Sequence, residues 1–326
     1  MPANRAAWSG RRIALVDALR GAALIGMIGY HLSWDLGYFR FIDGAIPLSP
    51  PFKAYANVVA STFLVLVGIS LVLAREAGSG PSQALRRLSI IALAAAAVSL
   101  VTWYVFPENF IFFGILHCIV VSSVLAYPFV RAPPWLTGLA AIACLVLPKV
   151  IAEPAFDPPH FWWLGLGTRA PATFDYRPLF PWLGAVLAGV VVARATLAAA
   201  GKSPWLGWSP KSRPGKVLAW GGRHSLAIYL VHQPLLVGLL FVIAQVTGAG
   251  QESGSASFMR ACETQCVGNG SDEVSCRAAC ACVFTELRTQ GLWARALTRE
   301  LSKDENDQIA TITRGCTPKP MEDPVP

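Results

Sequence analysis

Seven long apolar runs separate the polar segments of this chain, and they constrain its fold more than any other feature. They cover approximately residues 13–34, 55–74, 84–106, 110–130, 133–151, 179–199 and 224–247. Each run is close to the ~20 residues with which a helix crosses a bilayer. The chain is 54% hydrophobic and only 14% charged, whereas a soluble domain is about 25% charged. The sequence therefore predicts an all-α polytopic membrane bundle of about seven spans, with the lipid bilayer as its surroundings.

The distribution of Lys and Arg predicts how the spans are oriented, because cytoplasmic loops carry an excess of these residues. With the N-terminus inside, thirteen lie inside: Arg5, Arg11, Arg12, Arg75, Arg86, Arg87, Arg131, Arg194, Lys202, Lys211, Arg213, Lys216 and Arg223. Five lie outside: Arg40, Lys53, Lys149, Arg169 and Arg177. This excess predicts a cytoplasmic N-terminus, and seven spans then place the tail on the outer side of the membrane. The net charge of +8 then reflects topology, and no nucleic-acid partner is expected.

Cysteines concentrate in the tail, which agrees with an oxidising, extracytoplasmic location. Six of the eight lie there: Cys262, Cys266, Cys276, Cys280, Cys282 and Cys316. Two Cys-x3-Cys pairs flank a "GNGSD" turn signal, and cysteines four apart share one helical face. A helical hairpin would join Cys262 to Cys280 and Cys266 to Cys276, which leaves Cys282 for Cys316. Six cysteines allow fifteen pairings, so this one is a geometric preference. A metal site is the weaker alternative, because the tail contains no histidine.

Composition divides the chain into three predicted parts. Residues 1–249 form the membrane domain, residues 250–257 a Gly/Ser-rich linker, and residues 258–326 a small cysteine-rich helical appendix. The appendix carries no pattern typical of catalysis, so we interpret it as a structural cap or docking module. The Pro- and aromatic-rich loop 152–178 could either stack on a sugar ring or form part of an interfacial aromatic belt.

The first run carries charged groups inside the stretch "DALRGAALIGMIGYH" at 17–31, where each costs roughly 2.5–3.5 kcal/mol in hydrocarbon. His31 lies eleven positions after Arg20, which is about 20° past three full turns and roughly 16 Å along a helix axis. Asp17 lies one turn before Arg20, and Asp35 lies one turn beyond His31. Snorkelling of each group to the nearest membrane surface is the alternative, but it does not explain a shared face. The stripe therefore indicates a functional path along the helix.

This Arg-x10-His pattern and four further stretches resemble the transmembrane acyltransferase superfamily. Within it, the chain is most similar to the catalytic domain of heparan-α-glucosaminide N-acetyltransferase in its bacterial form. The stretches are "STFLVLVGISL" (61–71), "FFGILHCIVVSSVL" (112–125), "YRPLFPWLGAVLAG" (176–189) and "GGRHSLAIYLVHQPLL" (221–236). The resemblance covers most of residues 11–245 and leaves out the tail.

The resemblance implies a bacterial inner-membrane protein with a periplasmic tail. It also implies transfer of an acetyl group from cytoplasmic acetyl-CoA to an amino sugar or glycan acceptor on the periplasmic side, without a metal. His31 would be the general base or a transient acetyl carrier, and Asp35 would orient its ring. His117 would be a second catalytic candidate or simply a buried, hydrogen-bonded histidine. The residues expected to line the acetyl-CoA path are Asp17, Arg20, His232 and Gln233. His160 and His224 are expected at the surface.

One departure from the family and two rival functions stay open at this point. Animal members carry their active-site histidine in the loop after the first helix, but residues 36–54 contain none. His31 would then take over that role, and a homodimer is one way to complete a site built from fewer spans. The rivals are a proton-coupled small-molecule transporter that uses the stripe as its pathway, and a membrane anchor for the tail. The absence of an obvious inverted repeat favours the enzyme over the transporter.

Overall fold

A computed structural model describes residues 13–199, 207–247, 249–269, 271–298 and 301–316. Within these ranges the chain is all helical and contains no β-strand, as the sequence predicts. Four of the cations in the orientation argument, Arg5, Arg11, Arg12 and Lys202, lie outside the described residues. The orientation of the termini therefore stays a prediction.

All seven apolar runs form helices. Those helices are α1 (Ala14–Tyr38), α2 (Pro50–Glu76), α3 (Pro81–Val105), α4 (Ile115–Ala126), α5 (Pro134–Val150), α6 (Leu179–Ala198) and α8 (Ser225–Thr247). The amphipathic α7 (Arg213–Arg223) precedes α8, and α9 (Ala249–Gly268), α10 (Glu273–Thr289), α11 (Trp293–Thr298) and α12 (Lys303–Cys316) follow. Among the described helices, α1, α2, α3, α6 and α8 are long and apolar enough to cross a membrane. The apolar helices α4 and α5 are shorter, with 12 and 17 residues.

The shortness of α4 has a specific cause, because the predicted run 110–130 is helical only from Ile115 to Ala126. Before it, the outer loop hydrogen-bonds to the backbone of residues 109–113: Phe174 N to Asn109 O at 3.1 Å, Thr173 Oγ1 to Phe110 O at 2.7 Å and Arg177 N to Phe113 O at 3.1 Å. These carbonyl groups would otherwise begin the helix. The loop is thereby held against the start of α4, and it brings two charged residues with it.

The chain forms two compact units. The first comprises residues 13–31 and 50–234, apart from the undescribed ones, and its core centres on α6. Leu64 of α2 and Val186 of α6 are fully buried there. Two glycines let these helices touch backbone to backbone: Gly68 faces the carbonyl group of Val186, and Gly189 faces that of Val65. Small residues at helix contacts allow such close approach in membrane proteins.

The second unit comprises Leu32–Ser49 and the chain from Leu235 onward, and three disulfides hold its tail. They are Cys262–Cys280, Cys266–Cys276 and Cys282–Cys316, so the preferred pairing is confirmed. Val283, Leu287, Leu292, Trp293 and Ile312 form a small apolar core beside them.

The backbone of residues 250–257 is helical, which differs from the linker that its Gly and Ser content predicts. Two disulfides tie the last turns of α9 to α10, and they offset the low helix propensity of this stretch. The functional division at residues 249 and 258 stays a prediction.

Candidate active site

The inner end of the polar stripe is an arginine held by one partner on its own helix and one on α2. Arg20 Nη1 lies 3.4 Å from Asp17 Oδ1, and Arg20 Nη2 donates a 2.7 Å hydrogen bond to Ser70 Oγ on α2. Ser70 in turn donates to the carbonyl of Leu66 at 2.6 Å. The Arg20 side chain is only 18% exposed, so it points toward α2 rather than snorkelling to a membrane surface. The sequence predicted the pair with Asp17, whereas Ser70 carried no signal of its own.

The outer part of the stripe meets a second histidine. The imidazole rings of His31 on α1 and His232 on α8 lie 5.0 Å apart between centroids, with an edge-to-face angle of 63°. Tyr30 packs edge-on against His31 from its own helix, at 5.9 Å. The sequence singled out both histidines but assigned them separate roles. The structure brings them together.

A pair of glycines forms a close backbone contact between α1 and α7, ten residues before the two histidines. Gly222 of α7 packs against the backbone of Asp17 on α1, and Gly21 of α1 packs against the carbonyl of Leu218. His31 follows Gly21 by ten residues, and His232 follows Gly222 by the same ten. The ten residues on α1 form one continuous helix, whereas the ten that lead to His232 pass through His224, between α7 and α8. The glycine contact joins α1 to α7, and the two imidazoles meet ten residues beyond it.

The protonation of His232 follows from its partner. Its Nδ1 lies 2.7 Å from the carbonyl oxygen of Tyr229, and a carbonyl can only accept, so Nδ1 carries the hydrogen. Nε2 then holds the lone pair of the neutral ring. This atom is buried, and it has no hydrogen-bond partner among the described residues. His232 thus presents a basic nitrogen inside the protein, which is unusual for a buried polar group.

His117 has the opposite arrangement. Its Nδ1 accepts from the backbone N–H of Gly114 at 3.3 Å, and its Nε2 lies 3.2 Å from Ser99 Oγ. Ser99 donates to the carbonyl of Ile111 at 2.5 Å, so Nε2 is the donor toward Ser99. Both ring nitrogens are occupied in ties between α3 and the start of α4. The contacts favour the buried, hydrogen-bonded role of His117, and its catalytic role stays a prediction.

Two charged residues that sequence reasoning did not select lie near this site. Asp175 accepts from the backbone N–H of Ile115 at 2.8 Å and lies 3.6 Å from Arg177 Nε. Arg177 donates to Asn57 Oδ1 at 3.0 Å and stacks 4.9 Å over the ring of Trp182. Its guanidinium lies within electrostatic range of His31. The stretch "YRPLFPW" contains Arg177, but only the folded loop shows that its guanidinium contacts Asn57 of α2.

The same loop is closed by a hydrogen-bond network around its outer turn. Asp157 accepts from the hydroxyl and the backbone N–H of Thr168, both at 2.7 Å, and these bonds lower the pKa of its carboxyl. Trp162 donates to the carbonyl of Asp157, and Tyr176 donates to the carbonyl of Trp162, each at 2.7 Å. Trp162 therefore packs within the protein, 5.3 Å from the ring of Phe112. Its contacts rigidify the loop that carries Asp175 and Arg177.

The two other predicted site residues lie on α1 and α8. Asp35 is buried one turn after His31 in α1, and Gln233 follows His232 beside Pro234. Their proposed roles toward the imidazole and the donor stay predictions. His160 and His224 are exposed, as expected. Among the described residues, no group of three or more His, Cys, Asp or Glu side chains is arranged to hold a metal ion.

Comparison with known proteins identifies one family. The family model described as "Heparan-alpha-glucosaminide N-acetyltransferase, catalytic" matches residues 12–234, which is more than half of the chain. The match includes the polar stripe, the loop with Arg177, and His232. The tail lies outside it. No curated protein and no solved structure matches the chain.

Proposed function

The chain belongs to the catalytic-domain family of heparan-alpha-glucosaminide N-acetyltransferase and is therefore a transmembrane acetyltransferase, and we propose that it moves acetyl groups from cytoplasmic acetyl-CoA to an amino sugar or glycan acceptor on the periplasmic side. The observation that carries this proposal is the pair His31 and His232, whose rings lie 5.0 Å apart inside the matched region. An enzyme that transfers an acyl group needs a base at the reacting carbon.

Arg20 is the proposed contact for the donor. A guanidinium binds phosphate oxygens with two parallel hydrogen bonds, and CoA is rich in phosphate. Asp17 and Ser70 hold this guanidinium in position, at 3.4 Å and 2.7 Å. Arg20 and His31 are separated by roughly 16 Å along α1, so the long arm of the donor would extend from one toward the other. Gln233, beside His232, is proposed to line the end of this path.

His31 is the proposed base at the reacting carbon. It would take the proton from the acceptor amine or hydroxyl as the acceptor heteroatom bonds to the acetyl carbon. The carbon–sulfur bond breaks in the same transfer, and the CoA thiolate receives the proton. A positioned base of this kind contributes about 10²–10⁴-fold to the rate. Asp35, one turn further along α1, is proposed to orient the ring.

Arg177 is the proposed acceptor-side group, because its guanidinium acts electrostatically on His31, and Asp175 is proposed beside it as its ion-pair partner at 3.6 Å. Arg177 is already oriented by Asn57 and by the ring of Trp182. An oriented cation near the reacting carbon would stabilise the negative charge that develops on the carbonyl oxygen. A sugar hydroxyl or amine could reach the same region from the loop side.

Two measurements on the purified protein test the proposal. Calorimetry should detect saturable acetyl-CoA binding that weakens about 10- to 100-fold in Arg20→Ala, the loss of a charge-assisted hydrogen bond. The matched control, Arg169→Ala, removes an exposed arginine from the outer loop and should leave binding unchanged. Mass spectrometry should then detect acetylated products from a panel of amino sugars, and His31→Ala should abolish them. No binding at millimolar acetyl-CoA, or retained turnover in His31→Ala, would refute the proposed reaction.

A further inference from the structure

The buried Nε2 of His232 has no assigned use, unlike the ring nitrogens of His117. His117 uses both of its ring nitrogens in hydrogen bonds. His224 makes the same kind of Nδ1 contact as His232, 2.9 Å from the carbonyl of Trp220, but its side chain is exposed to the surroundings. His232 is only 8% exposed, and its Nε2 is without a hydrogen-bond partner in the described part of the chain. Such a group indicates a partner that arrives during function.

The chemistry of the ring defines what that partner supplies. Because Nδ1 donates to the carbonyl of Tyr229 at 2.7 Å, Nε2 is an acceptor and a base. The neighbouring polar group is the imidazole of His31, with its ring centroid 5.0 Å away in an edge-to-face contact. Each ring lies ten residues beyond the backbone contact that Gly21 and Gly222 form between α1 and α7. A small rotation of either ring, or one water molecule, would join them.

We infer that His232 is the proton-accepting partner of His31 in acetyl transfer, and not only a lining residue of the acetyl-CoA path. The inference rests on the proposed function. As the acceptor heteroatom bonds to the acetyl carbon, its hydrogen passes to one ring nitrogen of His31. The hydrogen on the other ring nitrogen of His31 passes to Nε2 of His232, so that His232, and not Asp35, takes the N–H of His31 in this step. The carbon–sulfur bond breaks, the CoA thiolate takes the hydrogen from His232, and both imidazoles end neutral.

A second imidazole changes where the positive charge of the transferred proton is held. A base enclosed by protein that gained a proton would hold a positive charge near the guanidinium of Arg177, which is unfavourable at low dielectric. Passing the proton onward avoids holding that charge on His31. The carbonyl of Tyr229 is then well placed to stabilise the protonated form of His232, because Nδ1–H remains its donor.

The kinetic test uses His232→Asn. Asparagine keeps an N–H donor near the position of Nδ1 and so preserves the bond to Tyr229, but it has no counterpart of the basic Nε2. We expect kcat for acetyl transfer to fall about 100- to 1,000-fold, within the range for one acid–base group. The Kd for acetyl-CoA should change less than twofold. His224→Asn, the matched change at the junction of α7 and α8, should leave both quantities at the wild-type value. An equal loss of acetyl-CoA affinity and kcat in His232→Asn would return His232 to a binding role and overturn the inference.

A spectroscopic test separates this inference from the proposed reaction. Nitrogen-15 spectra of histidine-labelled protein in nanodiscs should show the His232 ring as the neutral Nδ1–H form. The His31 resonances should shift in His232→Asn and stay in place in His224→Asn. An Nε2–H form of His232, or unchanged His31 resonances, would overturn the inference even if acetyl transfer is found. Coupled His31 and His232 resonances in a protein that transfers no acetyl group would instead retain the pair and refute the reaction.

Discussion

Gly68→Ala is expected to loosen the bundle and slow catalysis, because Gly68 lies where α2 and α6 touch backbone to backbone. A methyl group there would overlap the carbonyl oxygen of Val186 and lie 2.9 Å from the backbone nitrogen of Val190. Backbone atoms cannot swing aside as a side chain does. The two helices would therefore have to separate by about 1 Å, at the cost typical of an overpacked core.

The magnitude follows from two opposing effects. Overpacking a core costs typically 1–3 kcal/mol, and replacing a helical glycine by alanine returns about 0.5–1 kcal/mol. The net destabilisation is therefore about 1–2 kcal/mol, which lowers Tm by a few degrees in a protein of this size. Catalysis should suffer more, because Ser70 lies two residues further along α2 and holds Arg20. A misplacement of about 1 Å can cost up to about 100-fold in rate.

The assay is thermal unfolding of the purified protein, followed by its acetyl-transfer rate. The control is Gly138→Ala on α5, where a methyl group meets nothing within 4 Å. That variant should be as stable as the wild type or slightly more stable, because alanine is the better helix former. If Gly68→Ala unfolds at the same temperature as Gly138→Ala and keeps full activity, the close contact between α2 and α6 is not what orients Ser70.

Three further predictions concern the loop and the tail. Hydrogen bonds to Thr168 lower the pKa of Asp157 in the folded protein below its usual value. The protection of the Thr168 and Arg169 amides from hydrogen exchange should therefore persist at neutral pH and disappear as pH falls through that lowered pKa. Asp157→Asn should expose both amides to exchange at pH 7. Replacing Cys282 and Cys316 by Ser opens a loop with a sequence separation of 34 and should destabilise the tail by about 4 kcal/mol, seen as a lower unfolding midpoint in denaturant; reduction of the wild type breaks all three tail disulfides and should lower the midpoint further. Asp175→Asn weakens the carboxylate contact at the N-terminus of α4 and should lower Tm by an amount equivalent to about 0.5–2 kcal/mol, whereas unchanged Tm and activity would remove Asp175 from both roles.

The sequence determined most of the fold by hydrophobic length and by local geometry. Each of the seven apolar runs is a helix, because backbone groups in hydrocarbon must be satisfied within their own segment. The tail disulfides were predictable for a related reason, since cysteines four apart face the same way on a helix and a turn folds one pair onto the other. The start of α4 was not predictable, because an outer loop distant in sequence binds the carbonyls before it.

For the site, sequence periodicity determined the polar stripe, and tertiary structure decided what it meets. The spacing of Asp17, Arg20 and His31 puts them on one side of α1, and the ion pair follows from that spacing alone. The meeting of His31 with His232 depends on Gly21 and Gly222 packing against partner backbones, a contact between segments two hundred residues apart. No local pattern encodes the height at which two helices cross. The sequence therefore names the histidines, and only helix packing makes them a pair.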